Sequence, residues 1–476
     1  MIWKKIKTVL SENSLIYLLG IILLSLVLYW QTLHFGFVRE DYIQDRFYSL
    51  KELVSTFYGT WDPKHIETNF YRPLVTLSYA ANYFIWETNP FGYHLTNVLL
   101  NTLNALLIFF VMRKLGTKWM FSFVAAILFL LIPYNSISVS WISHRSDIIM
   151  TLFFLSSFLS FIIFYSNPDK RMYYHLSVLC FVFSLMSKEQ AVTLPFILLF
   201  YTYIMYNDIP KRHLLSYFAI LSSYMAFRFF IFSGMGGYGT WYPLWQAIPL
   251  NFCLAFFRTF VPFSDADLIY VAIYIPIIVI FLAFIAFQIK HLHYRRHIFF
   301  SLSWIAITIL SLYSASFSRL LYLTSVGFGM LFGIICSELF TSFSKTPAEC
   351  FANKNDIAKT VILVLLIISL FTLFAVVNIE HQDTLSPSSP MVLKRDQGIY
   401  VRWHDEMEDE QLDILRQKLD KYGLLAETEE LLKQTDQELY PIHQEAQVDI
   451  YITDLYQKGG LNLVLKKILG RWLWET

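Results

Sequence analysis

Apolar runs long enough to cross a bilayer recur along most of this chain, and no other feature constrains its fold as strongly. A helix that spans the ~30 Å hydrocarbon core needs about 20 predominantly apolar residues. About eleven stretches approach that length, near 15–33, 93–112, 119–134, 147–165, 172–187, 190–206, 213–233, 267–289, 298–315, 320–340 and 360–379. Composition agrees: 56% of the 476 residues are hydrophobic and 15% charged. A soluble domain carries about a quarter charged residues, so the deficit points to lipid-facing surface. The net charge of +1 gives no basis for a polyanionic partner, and nucleic acid is not expected.

Lys4, Lys5 and Lys7 precede the first run, as in a secretory signal. The run exceeds the roughly 7–15 residues of a signal core and lacks a small-residue cleavage site, so it reads as a retained first span. Cys180, Cys253, Cys336 and Cys350 are scattered without metal spacing, and no disulfide framework is expected.

Lysine and arginine set the orientation. With the N-terminus inside, the inner connections hold Arg113, Lys114, Lys118, Lys170, Arg171, Lys211, Arg212, Lys290, Arg295, Arg296, Lys345, Lys354 and Lys359. With Lys4, Lys5 and Lys7 that makes about 16 basic residues, against about four in the short outer connections. The expected architecture is an all-α polytopic membrane protein of the cell (inner or plasma) membrane, with about eleven transmembrane helices and a cytoplasmic N-terminus. Residues 1–380 form the membrane domain and 381–476 a small helical extracytoplasmic domain. Helices are expected in this tail near 406–422, 424–434 and 461–474. Residues 35–92 form a long first external loop, a length that usually signals structure or function. Its stretch 72–86 reads as an amphipathic helix at the membrane surface.

This topology gathers the unusual polar residues on the outer side. FVREDYIQD at 37–45 sets Glu40 beside Asp41, and adjacent carboxylates raise one another's pKa unless a cation answers them. That suits a general base; an acidic loop at a membrane edge is the plainer reading. NFYRPLV at 69–75 offers Tyr71 and Arg72, and a guanidinium there binds either a phosphate or a structural carboxylate. WISHRSD at 141–147 holds His144, Arg145 and Asp147, with the Arg paired to the Asp or facing substrate. Lys188 and Glu189 interrupt more than thirty apolar residues, as an external turn or as the floor of a polar cavity. Arg319 and Tyr322 lie at the outer end of a later span, in SFSRLLYLTSVGF at 316–328. Arg228 and Arg258 read as snorkelling or phosphate-binding arginines. Asn97, Asn101 and Asn104 recur at helical spacing and read as interhelical hydrogen-bond donors and acceptors.

In this order, on one side, these elements resemble the GT-C class of membrane glycosyltransferases, in particular the branch of TMTC-type protein O-mannosyltransferases and their bacterial relatives. The resemblance covers roughly residues 30–335. Its elements are Glu40-Asp41, Tyr71-Arg72-Pro73, the run 91–110, Ser-His-Arg-Ser-Asp at 143–147, Ser187-Lys188-Glu189 and Arg319 through Phe328. Three features depart from the branch: Glu-Asp replaces Asp-Asp, Thr324 replaces a proline, and a short tail stands where the relatives carry tetratricopeptide repeats.

The resemblance implies an inverting transfer of a sugar, mannose or another hexose, from a polyprenyl-phosphate donor to a lipid, glycan or protein hydroxyl on the extracytoplasmic face. Asp41 or Glu40 would be the base. Arg72, Lys188 and Arg319 would balance the donor phosphate, and Tyr71, His144, Arg145, Asp147, Glu189 and Tyr322 would support them. No cofactor is required; some members of the class use a divalent metal, but no further ligand cluster here demands one. A transporter or flippase of lipid-linked sugars is the main rival. It would set its ionisable groups near the midplane, often within inverted repeats.

Overall fold

A computed structural model describes residues 12–37, 41, 47–59, 70–232, 247–261, 274, 279, 295–312, 318–343, 367–379, 382, 391–395, 398–403 and 448–452. The helices are α1 (Glu12–Leu28), α2 (Leu50–Ser55), α3 (Pro73–Trp86), α4 (Pro90–Lys114), α5 (Trp119–Leu131), α6 (Pro133–Ser140), α7 (Arg145–Ser166), α8 (Arg171–Leu185), α9 (Leu194–Tyr206), α10 (Lys211–Phe232), α11 (Ala247–Phe260), α12 (Arg295–Leu310), α13 (Tyr322–Phe343) and α14 (Ile367–Ile379). Three strands follow: β1 (Met391–Arg395), β2 (Gly398–Trp403) and β3 (Val448–Ile452). Chain contacts divide the molecule into two compact units, Met1–Phe35 with Asp41–Gln382, and Gly36–Glu40 with Asp383–Thr476.

Within the first unit apolar side chains fill the core and also cover the outside, while unusual polar groups are enclosed. Leu15, Leu19, Leu23 and Val27 form an exposed apolar row on α1, and Phe229 and Phe230 are exposed on α10. Meanwhile Asn97, Asn101, Asn104, Arg145, Asp147 and Lys188 are buried. That is how helices solvated by lipid arrange themselves: apolar surface costs nothing outside, and polar groups find partners inside.

Three described helical segments are long and apolar enough to cross a membrane: Pro90–Lys114, Ile142–Ser166 and Lys211–Phe232. A fourth is the bent pair α5–α6. Among the described residues at most four segments meet that length and apolarity; α8 and α9, at two further expected spans, have 15 and 13 residues. The expected span at 267–289 lies almost wholly outside the described residues.

Helix α4 is the centre of the unit. Asn89 Oδ1 accepts from Phe91 N–H at 3.1 Å and Pro90 opens the first turn. Arg113 and Lys114 close the last turn, where the helix dipole favours cations. The asparagines of its inner face bond across helices, as their spacing predicts. Asn97 Nδ2 donates to Val139 O at 3.1 Å, and Asn104 Nδ2 to Ile148 O at 3.0 Å and Tyr322 OH at 3.1 Å.

The stretch 119–134, expected as one span, is two helices bent by 64°. Pro133 has no N–H to continue α5 and forces Ile132 out of the helical region, to φ −56 and ψ 120. The break frees the last carbonyls of α5 in a buried place. Tyr29 OH donates to Leu130 O at 3.1 Å, and Asn378 Nδ2 lies 3.3–3.5 Å from Leu130, Leu131 and Ile132 oxygens. Gln382, one turn on from Asn378, bonds Thr32 Oγ1 and Leu28 O, so one polar clasp joins the ends of α1, α5 and α14.

Helix α13 meets α5 backbone to backbone. A Cβ at Gly329 would sit 2.9 Å from Ala125 O, and one at Gly333 2.8 Å from Phe121 O. Spacing two glycines by four allows such close packing where burial of apolar surface supplies no drive between helices.

In the second unit, β1 and β2 pair antiparallel, with Met391 opposite Arg402 and Arg395 opposite Gly398. β2 pairs antiparallel with β3, Ile399 opposite Ile452. In the tail, expected to be a small helical domain, the residues described beyond Gln382 are strands. MVLKR, GIYVRW and VDIYI carry the β-branched and aromatic residues that favour extended backbone. The helices expected near 406–422, 424–434 and 461–474 lie outside the described residues.

Candidate active site

The site is built where the N-terminus of α3, the turn before α7 and the turn between α8 and α9 meet. Arg72, kept out of the helical region by the following Pro73, is the N-cap of α3 at φ −142 and ψ 52. Leu74 N–H donates to Met186 O at 3.3 Å, which ties this corner to the SKEQ turn. Helix α3 spans Pro73–Trp86, as its amphipathic pattern predicts, with Val75, Thr76, Tyr79 and Asn82 turned inward and Phe84 and Ile85 outward.

Asp41 is fully buried. Its Oδ1 accepts from Ser143 N–H at 2.8 Å and from Ser143 Oγ–H at 2.7 Å. This joins the acidic motif to WISHRSD, over a hundred residues later. Glu40 lies outside the described residues. His144 stacks on Trp141 at 4.4 Å and caps the N-terminus of α7.

Arg145 does not pair with Asp147. Its Nε donates to Asn97 Oδ1 at 2.6 Å and its Nη2 to Tyr93 O at 2.9 Å; Nη1 meets Asn82 Oδ1 and Ser78. Its guanidinium also lies 4.7 Å from the Tyr79 ring. Fully buried, it staples α3, α4 and α7 together. Asp147 goes instead to Lys188, whose Nζ donates to both carboxylate oxygens at 2.6 Å. Both side chains are buried, at 5% and 1% exposure. The SKEQ turn is therefore a buried polar floor, with Ser187, Gln190 and Thr193 also enclosed.

Glu189 faces the other way. Its Oε2 lies 3.4 Å from Arg72 Nη2 and its Oε1 3.4 Å from Arg228 Nη1. The carboxylate keeps 23% exposure while both arginines are nearly enclosed. Burial pushes its pKa up, but the flanking guanidiniums outweigh burial and hold it below the ordinary carboxylate range. Phe70 lies under Arg72 at 4.2 Å, and Tyr224 OH accepts from Arg228 Nη1 at 3.2 Å. Tyr71 is buried beneath this corner, its OH on Phe57 O at 3.1 Å and its ring against Phe227.

Tyr322 OH donates to Asn101 Oδ1 at 2.6 Å and so locks α13 onto α4. Arg319 lies in the turn Ser318–Leu321, just before Tyr322; its side chain is outside the described residues. The expected elements thus meet in one sequence of contacts: Asp41 with Ser143, Asp147 with Lys188, and Glu189 with Arg72. Arg228, expected as a snorkelling or phosphate-binding arginine, and Ser143, the first residue of the 143–147 element, belong with them. Arg228 is readable as an arginine in an apolar run, whereas Ser143 carries no signal of its own.

Among the described residues, no three His, Cys, Asp or Glu side chains come together as a metal site.

No family model matches the chain. It is similar to protein O-mannosyl-transferase TMTC3 of Homo sapiens, 30% identical over 176 residues, which cover 35% of this chain and 19% of that protein. Against Drosophila melanogaster protein O-mannosyl-transferase Tmtc1 it is 28% identical over 202 residues, 39% of this chain and 22% of the relative. The chain spans about a fifth of the length of these relatives. Among solved structures, ArnT from Cupriavidus metallidurans, bound to undecaprenyl phosphate, aligns over 77% of this chain and 75% of that one, at 14% identity and a TM-score of 0.44. Over 35–39% of its length, then, the chain resembles the TMTC-type protein O-mannosyl-transferases.

Proposed function

We propose that this protein is a GT-C-type membrane glycosyltransferase that moves a sugar from a polyprenyl-phosphate donor to an acceptor hydroxyl on the extracytoplasmic face. The observation that carries the reading is the pairing of one enclosed carboxylate, Asp41, with an arginine pair at a partly open edge, Arg72 and Arg228. Similarity to the TMTC-type transferases supports the same class of chemistry.

In this mechanism Asp41 takes the proton of the acceptor hydroxyl. The oxygen bonds to the anomeric carbon as the carbon–oxygen bond to the lipid phosphate breaks, with inversion. The polyprenyl phosphate leaves carrying one more negative charge, so the step needs no general acid. Cations already in place stabilise that developing charge without reorganising. Arg72 and Arg228 supply them, with Arg319 as a third. Lys188, bound to Asp147, acts on the site's shape rather than on the phosphate. The tail beyond residue 380 is an extracytoplasmic domain that takes part in choosing the acceptor.

The test uses the full-length protein in liposomes holding radiolabelled mannosyl- or glucosyl-phosphoundecaprenol, with solubilised cell-envelope material as acceptor. Release of undecaprenyl phosphate with label on the acceptor is the expected result. Donor crossing to the opposite leaflet intact would identify a flippase and end the transferase reading.

A further inference from the structure

We infer that Ser143 is the positioning residue of the general base: its two donors hold one oxygen of the Asp41 carboxylate and so set its orientation. The inference rests on the transferase reading above and adds to it a role for Ser143.

Ser143 sits in the 3-10 turn Ile142–His144, between the end of α6 and the start of α7. That turn is clamped on every side. Trp141 N–H donates to Ile137 O at 3.1 Å and His144 N–H to Trp141 O at 3.0 Å. Tyr79 OH donates to Ile142 O at 3.0 Å. The next residue, Arg145, is locked by Asn97 and the Tyr93 carbonyl. A serine in a turn so fixed has one direction in which to present its donors.

Both of its donors converge on the same atom. The amide reaches Asp41 Oδ1 at 2.8 Å and the hydroxyl reaches it at 2.7 Å. A carboxylate oxygen has two in-plane lone pairs, and two donors occupy both. Oδ1 is thereby committed and the carboxylate plane is set. The bonds are charge-assisted while Asp41 is ionised, the state a base needs before the step. Arg145, Arg72, Tyr79, Tyr93 and Tyr48 are ionisable groups whose charges act in this neighbourhood.

Ser143→Ala keeps the amide donor and deletes the hydroxyl. It is expected to lower kcat about tenfold to a hundredfold, the loss typical of one hydrogen bond to a charged group. The KM for the undecaprenyl-phosphate-linked donor stays unchanged, because Ser143 does not meet the phosphate. Ser143→Thr, which restores the hydroxyl, recovers most of kcat. Thermal unfolding in detergent checks that the alanine variant is folded. The second arm repeats Ser143→Ala in an Asp41→Asn background, where it should change the residual rate little, because it acts through a base already removed. An unchanged kcat in Ser143→Ala overturns the positioning role. So does a loss that threonine does not rescue, or one equally large in the Asp41→Asn background. If Asp41→Asn alone leaves transfer intact, the base assignment itself has failed and this inference falls with it.

Discussion

Two ion clusters lie side by side in this molecule, and they differ in enclosure. Lys188 and Asp147 meet at 2.6 Å with both side chains buried. Glu189, the next residue after Lys188, holds Arg72 and Arg228 at 3.4 Å each and stays partly open. The tight, dry pair has no room for a ligand. The other keeps its carboxylate partly exposed between two guanidiniums. Adjacent residues of one motif thus divide between an enclosed pair and a partly open one, a division that residue type alone does not reveal.

The comparison breaks most visibly at Lys188. Lys188→Ala leaves Asp147 as an unpaired buried carboxylate, which costs about 3–5 kcal/mol. The expected outcome is a steep loss of Tm and of folded yield in detergent. Lys188→Met with Asp147→Leu removes both charges and should restore most of the Tm. If Lys188→Ala instead folds normally and loses only donor affinity, the lysine belongs with the phosphate.

Arg72→Ala sharpens the other side. Turnover should fall about a hundredfold, as when one preorganised donor to a developing anion is removed. Its Tm should fall less than that of Lys188→Ala. A variant that unfolds as readily but turns over normally when stabilised would place Arg72 in the scaffold.

The smallest effect is the pH dependence of the open cluster. Its arginines depress the Glu189 pKa. The bridge is therefore present above the unfolded carboxylate value, about 4.3, and is lost as pH falls through the lower folded value. Unfolding temperatures should lose that contribution only below about pH 4. Glu189→Gln should remove that acid-side component, and a loss centred near pH 6 would contradict the assignment.

Much of the fold was legible because lipid rewards a simple pattern. Apolar length gave α4, α7 and α10, and asparagines at helical spacing gave the contacts of α4 with α6, α7 and α13. The break at Ile132 was written in Pro133, but counting apolar residues passes over a proline inside a run. The partners of Arg145 were not legible: a nearby aspartate in sequence suggested a pair, while the helix geometry sends the guanidinium to Asn97 and Tyr93. Ser143 was the least legible, since a serine's role depends on which carboxylate the fold brings to it.

The central claim is that Asp41 removes the acceptor proton. It is tested most directly by Asp41→Asn, purified beside the wild type and assayed for label transfer from mannosyl- or glucosyl-phosphoundecaprenol. The account predicts a loss of about 10²–10⁴-fold in kcat with donor binding and Tm retained. Transfer at the wild-type rate by a folded Asp41→Asn protein would contradict it.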